Sequence, residues 1–517
     1  MIINRIAIFF LCIGFWGNVS GLAVPKQYDL YSFRQVELSA PWLGSGNAAG
    51  LSYIPDLFPA ELKLGFGLNK GGFHSVLEGG EIQDYTLSFQ SFQKINKTYL
   101  YGSLNYWRGF EKELNFSNLN SPLTNYPYLM ADTIGNDTCD REFIALKGMV
   151  SSPLTDRLSW GVNFGYEVGV AVQDRDPRSE NKILRMNVSP GFIWRSGNYK
   201  FGANLDYEYY NEDMEVGVVE KNKQHTMFMM HGLGNFIYHQ AGSFYRLYQQ
   251  HQMGCGVQVD FASGDFSNLL HTRFDYLRQR VDDGRAGGNA NWSYVKNDAK
   301  IDGINWNIAD VATFVEGRKT HQAEASLQIE SRLGTEYVQR LEKVGPTDLE
   351  RWITYAENQK YYSVCTHAEL IYRLINKNGE DRISSLLTAG LNYTDFGEKY
   401  YLPDFNQDYS NLKLSASWLK RFNAKKANLS AELRFSCQLN LKAGQNLDFS
   451  DPLVQKIYVP EFNYRTSDFF IPGTSLAYEI PVKKIVNMYF IKTDFNWWHS
   501  TAGNNRTVLN FTAGIIF

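Results

Sequence analysis

Over residues 158–172 the chain alternates without a slip. Leu158, Trp160, Val162, Phe164, Tyr166, Val168, Val170 and Val172 are apolar or aromatic, and Ser159, Gly161, Asn163, Gly165, Glu167, Gly169 and Ala171 stand between them. A period of two marks a strand with one apolar and one polar face. The run far exceeds the roughly five or six residues of an ordinary globular strand. The same grammar returns in Leu184, Met186, Val188, Pro190, Phe192 and Trp194 against Arg185, Asn187, Ser189, Gly191 and Arg195. It returns again in Tyr199, Phe201, Ala203, Leu205, Tyr207 and Tyr209 against Lys200, Gly202, Asn204, Asp206 and Glu208. Further strands read at about 60–69, 84–93, 98–107, 142–152, 251–262, 268–281, 361–374, 383–396, 411–422, 427–441, 466–480 and 488–498.

A soluble sheet with one wet face also alternates. Here, however, the apolar faces carry Tyr or Trp towards their ends, as a membrane wall needs at its two interfaces, and the other faces carry charge, as a wet lumen allows. The connections alternate in length as well: 95–97, 153–157, 196–198 and 423–426 are short, whereas 108–142 and 400–410 are long and polar. Short periplasmic turns and long extracellular loops form the outer-membrane pattern. The expected fold is therefore all-β, a transmembrane antiparallel β-barrel. Bacterial single-chain barrels have even strand numbers, so the reading is about 16 strands, with 14 and 18 as alternatives. Residues 282–360 are the least legible; Pro346, Thr347, Asp348 and Glu350 read as a loop helix, with room beside it for one extra hairpin.

Composition narrows the class. With 51 Lys+Arg against 54 Asp+Glu, the formal charge of −3 excludes a domain held on nucleic acid by a basic surface. The 34 Phe, 32 Tyr and 11 Trp are the opposite of what disordered chains carry. After residue 22 no run approaches the ~18 to 20 apolar residues of a membrane-crossing helix, so these rings belong on strand faces.

Residues 1–22 read as a signal peptide: Arg5, an apolar core over 6–16, then the small residues Ser20 and Gly21. Residues 23–59 do not alternate and form either a periplasmic tail or a plug in the lumen; 60–517 form the barrel. Cys139, Cys255, Cys365 and Cys437 are too sparse for a disulfide framework, and sequence leaves their pairing open.

Leu509, Phe511, Ala513, Ile515 and Phe517 form one apolar face that ends on the last residue. This resembles the terminal strand of bacterial outer-membrane barrels, which implies that Phe511, Ile515 and Phe517 carry the signal read by the barrel-assembly machinery. The small-residue stretch Ser45, Gly46, Asn47, Ala48, Ala49, Gly50 resembles the Asn-Pro-Ala stretch of the fatty-acid-transporter superfamily, with Ala48 in place of the proline. In that superfamily the N-terminal segment enters the lumen as a hatch, which makes Asn47, Ala48, Ala49 and Gly50 the plug candidates. Over nearly its full length the chain resembles a Bacteroidota-type outer-membrane β-barrel family of unknown function. The resemblance implies outer-membrane lipids around the wall and a surface lipoprotein or a TonB-dependent receptor as partner. It transfers no functional residues.

Catalytic and phosphate-binding signatures are absent: no HExxH, GxSxG, GxxxxGK[ST] or CxxC occurs. His225, Met227, Met229 and His231 share one face if their stretch is a strand, and imidazole with thioether suits copper or haem iron. Methionine is more often a filler of irregular packing, so no metal and no cofactor is assigned. Asp404, Asn406 and Asp408 have the spacing of oxygen ligands but lack the glycine and distal glutamate of a calcium loop; they read as a solvated turn. The inward faces carry Glu167, Arg185, Arg195, Lys200, Asp206, Glu208, Lys492 and Asp494. Mixed signs fit a path for polar solutes or an interior closed by salt bridges. The expected function is an outer-membrane barrel, not an enzyme, that binds or admits a small ligand as a channel or transporter. The alternative is a non-transporting barrel that anchors or assists a surface lipoprotein or TonB-dependent receptor. A rim hydrolase is the third reading.

Overall fold

A computed structural model describes residues 28–517, apart from 117–118, 221, 223–224, 241–243, 285–294, 345–348, 424–426 and 483–485. The expected signal peptide and residues Pro346, Thr347 and Asp348 of the expected loop helix lie outside the described residues, and Glu350 falls in a strand rather than a helix. The described strands are β1 Ala60–Gly71, β2 Glu81–Ile95, β3 Thr98–Leu114, β4 Met130–Asp132, β5 Asp137–Pro153, β6 Leu158–Gln173, β7 Arg178–Ser196, β8 Tyr199–Gly217, β9 Thr226–Met230, β10 Phe236–Gln240 and β11 Phe244–Ser263. They continue as β12 Phe266–Asp283, β13 Lys296–Glu316, β14 Lys319–Val344, β15 Leu349–Lys377, β16 Ile383–Tyr400, β17 Phe405–Asn423, β18 Asn428–Asn446, β19 Phe469–Pro481, β20 Met488–Ser500 and β21 Asn505–Ile516.

All but β4, β9 and β10 form one antiparallel 18-stranded sheet, which closes where β1 pairs with both β2 and β21. The strand number is the upper of the expected alternatives. The two strands beyond sixteen are β13 and β14, the extra hairpin that the sequence left room for. The outer face of β14 carries small and polar residues such as Ala323, Ala325 and Ser331, which mutes its alternation, while β13 turns Ile304, Trp306 and Phe314 outward. The connection 400–410 is shorter than expected: β17 begins at Phe405, and Asn406 and Asp408 pair within the sheet opposite Lys399 and Gly397.

The wall presents its apolar faces outward. Leu205 is 64% exposed, Ile491 60% and Phe164 48%, and similar residues recur on strands all around the barrel. An exposed apolar surface that encircles the molecule is stable only against lipid, so this is a transmembrane barrel of the outer-membrane type. No described helix is long and apolar enough to cross a membrane; the strands do the crossing. Four of the inner-end turns have two residues, and Gly197, Gly264 and Gly317 open three of them at φ near +58°. That left-handed conformation matches the twist of a tight hairpin and favours glycine. By the short-turn rule this end is periplasmic.

One hairpin breaks the even rim. β13 leaves β14 at Glu336 and β16 leaves β15 at Tyr361, yet β14 and β15 stay paired out to Val344 and Leu349. A two-stranded arm therefore rises beyond the outer mouth.

Candidate functional site

The interior is filled at both ends by the chain's own segments. At the periplasmic end, a helix Ser32–Ser39 and two 3-10 turns, Pro41–Ser45 and Ala48–Tyr53, pack inside the wall. Val36, Ala48, Ala49 and Leu51 are fully buried. Three wall glycines make the seat. A Cβ on Gly161 would stand 2.4 Å from the Ala49 nitrogen, one on Gly191 2.3 Å from the Asn47 Oδ1, and one on Gly202 2.8 Å from the Trp42 ring. Through this gap the Asn47 amide reaches the wall's main chain. Its Nδ2 donates to the carbonyls of Phe192 at 3.1 Å and Ala203 at 3.2 Å and to Gln258 Oε1 at 2.9 Å, while its Oδ1 accepts from the Ala49 N–H.

Polar anchors surround this seat. Trp42 donates from Nε1 to Asp260 at 2.6 Å, and Lys200 reaches the same carboxylate at 2.7 Å. On the far wall, Arg421 joins Asp29 at 2.7 Å to Glu479 at 3.2 Å, and the Tyr31 hydroxyl donates to Ser430. Burial pushes the Tyr31 phenol up to about 12, a rise that the Ser430 hydrogen bond only partly offsets.

At the outer end, the described parts of the connections 115–136 and 218–240 fold inward and supply the small sheet β10–β9–β4. Met227, Phe228, Met229 and Met230 are all buried, so both faces of β9 are packed. Arg246, itself 0% exposed, ties this plug to the wall. Its guanidinium meets Asp283 at 2.7 Å and Asp298 at 2.7 Å, and donates to the Met229 sulfur at 2.5 Å. The Tyr248 hydroxyl donates to the Tyr128 carbonyl at 2.7 Å. Glu212 accepts from the Asn120 N–H at 2.6 Å, from Asn125 at 2.6 Å and from the Tyr210 hydroxyl at 2.6 Å. The connection 447–468 closes the same mouth: Glu461 accepts from the Ser75 hydroxyl and the Val76 N–H, and Tyr458 and Ile457 join the plug's apolar cluster.

His231 sits on the plug between two carboxylates, with Nε2 3.3 Å from Asp298 and Nδ1 3.4 Å from Glu336. Burial alone lowers an imidazole, but these two acids outweigh it and lift His231 to about 9. Of the four residues with soft donors, Met229 is engaged by Arg246 and His231 by two acids. No group of three or more metal-ligating His, Cys, Asp or Glu occurs among the described residues. Asp404 pairs with Lys399 at 3.0 Å and Asp408 with Lys442 at 2.7 Å.

Between the two fillings the inward faces stay wet. Asn105, Lys147 and Ser415 point into the lumen at mid-height and are nonetheless exposed. The sequence-derived lining residues fall around this band. Glu167 and Glu208 flank Arg185 at 3.8 and 3.6 Å, Asp206 faces Arg273 at 3.6 Å, and Asp494 is shared by Lys492 and Arg434 at 3.0 Å each. Lys200 belongs instead to the periplasmic seat, and Arg195 stands beside the inner turn, opposite Lys200 in the ladder. The residues that sequence reasoning missed are Arg246 and the glycine seat. A lone arginine at a strand's outer end, and glycines on an already small inner face, carry no pattern of their own. The four cysteines among the described residues are free; Cys365 faces the lumen, whereas Cys255 and Cys437 lie on the lipid side.

A family model described as "Family of unknown function (DUF6850)" matches residues 48–517. No curated protein matches the chain. Solved structures similar to it include the copper transporter OprC, at 11% identity and a TM-score of 0.43, over 85% of this chain and 62% of that one. The RagAB peptide importer follows at 6% identity and a TM-score of 0.41, over 86% and 72%. BauA, the ferric preacinetobactin receptor of Acinetobacter baumannii, stands at 8% and 0.39, over 89% and 80%. The chain thus spans under two thirds of the length of OprC.

Proposed function

We propose that this chain, which belongs to the family of unknown function DUF6850, is a gated barrel of the bacterial outer membrane that admits a small polar solute. One observation carries the reading: mid-height residues such as Asn105 and Ser415 face inward and remain solvated although both ends are filled. A barrel built only as an anchor has no use for a wet band between two closures, because lumen residues pack as readily as any core. In this reading residues 28–59 are the inner gate, seated by Asn47 against the wall glycines, and the β4, β9 and β10 sheet is the outer one. The hatch-like stretch around Asn47 supports kinship with the fatty-acid-transporter superfamily.

The test is solute flux through full-length protein in liposomes. Gly202→Leu crowds the inner seat, and Arg246→Leu leaves Asp283 and Asp298 buried without their cation, which loosens the outer plug. The double variant, shown to be assembled by its heat-modifiable gel mobility, conducts sugars and amino acids, and either single variant conducts less. An assembled double variant that passes nothing sinks the transport reading. The non-transporting alternative then stands, in which the β14–β15 arm meets a surface lipoprotein or a TonB-dependent receptor.

A further inference from the structure

We propose that the mid-lumen is a site for uncharged, hydroxyl-rich solutes with the chemistry of sugars or polyols; this rests on the solute-path reading above. Charge is present in the band with both signs, most of it paired; Lys147, Lys413 and Glu369 face inward beside the pairs and are again of both signs. Arg332 lies 2.5 Å from Glu330, Arg373 2.7 Å from Glu324, and Arg273 2.9 Å from Asp275. Together with the Glu167–Arg185–Glu208 and Arg434–Asp494–Lys492 clusters, these pairs spread both signs around the whole circumference. A lumen that selects ions concentrates one sign, because a single-sign lining focuses the field on the counter-ion. This one does not concentrate either sign.

What remains to recognise a solute is amide, hydroxyl and glycine. Asn105 on β3, Asn305 and Asn307 on β13 and Ser415 on β17 all face inward between the two fillings, whereas the inward Asn392 on β16 is already held by His367 and Thr394. Side-chain amides donate and accept at once, so they match hydroxyl groups, which do the same. An apolar solute would strip water from these amides without replacing its hydrogen bonds. One aromatic surface completes the set: Trp107 shares the inward face of β3 with Asn105 and lies 5.4 Å from the Phe143 ring. An indole face beside an amide is suited to a sugar ring, whose C–H face stacks while its hydroxyls hydrogen-bond.

Cys365, a native thiol facing this band, reports on it, and Asn105→Cys gives a second position on the opposite wall. The full-length barrel is treated with three methanethiosulfonate reagents, neutral, cationic and anionic, and labelling at each cysteine is followed by peptide mass spectrometry. The neutral reagent is expected to react fastest at both positions, with the two charged reagents similar to each other. Maltoheptaose is expected to slow labelling at both positions, and citrate and spermidine to leave it unchanged. A preference of about tenfold or more for one charge at both positions, the mark of a single-sign lumen, overturns the proposal. Protection by citrate or spermidine, or none by the sugar, overturns it as well. If no reagent reaches either cysteine, the solute-path reading itself fails and this inference falls with it.

Discussion

At the scale of single residues, the seat for Asn47 is the sharpest case of a wall shaped by what is missing from it. Gly161, Gly191 and Gly202 lie on neighbouring strands, and the space they leave is filled by the side chains and main chain of the inner segment. Gly161→Leu is therefore expected to dislodge residues 47–51 and to cost ~1 to 3 kcal/mol of that packing. Limited proteolysis checks it: cleavage within 28–59 rises in the variant while the barrel keeps its folded gel mobility. Unchanged protection would show that the seat tolerates a side chain. His231 gives a pH prediction. Its folded pKa of about 9 lies above the unfolded value, so its contribution to holding the plug is complete below about pH 6.5 and fades as pH rises through 9. Protease access to 226–240 should thus increase between pH 7 and pH 10, and His231→Phe should remove that step. The sequence singles out Asn47 through its small-residue neighbours but gives no sign of the glycines against which it packs. On an inner face of Gly, Ser and Asn, the three that matter look like all the others.

At the scale of elements, a strand is legible in proportion to how differently its two faces are solvated. β6, β7 and β8 face lipid on one side and small or polar residues, seated segments and a stretch of open lumen on the other, and their alternation is plain in the sequence. β9 does not alternate, because Met227 to Met230 are buried on both faces inside the barrel, and a strand of that kind has no period to read. The wall itself is tested by a pair of arginines. Phe164→Arg, on the lipid side of β6, is expected to lower stability by ~2 to 4 kcal/mol where it lies near the midplane. Asn105→Arg, in the wet band of β3, should cost much less. Urea unfolding of the two variants in the same lipid measures the difference, and equal losses would contradict the assignment of faces.

At the scale of the whole molecule, strand order was readable and occupancy was not. Nothing in an alternating pattern says whether a lumen is empty, because inward residues are polar in either case. The two fillings depend on contacts between distant parts of the chain, such as Tyr31 with Ser430 and Tyr126 with Glu398. The seam adds a kinetic consequence. Ala60 and Phe517 exchange main-chain hydrogen bonds where β1 meets β21, so the first strand of the wall waits for the last before the circle is complete. Segment 28–59 precedes β1 and lies within that circle. It touches β6, β7 and β8 on one side and β17, β18 and β19 on the other, so it ties strands far apart in the chain to one another across the lumen, a cross-brace as well as a stopper.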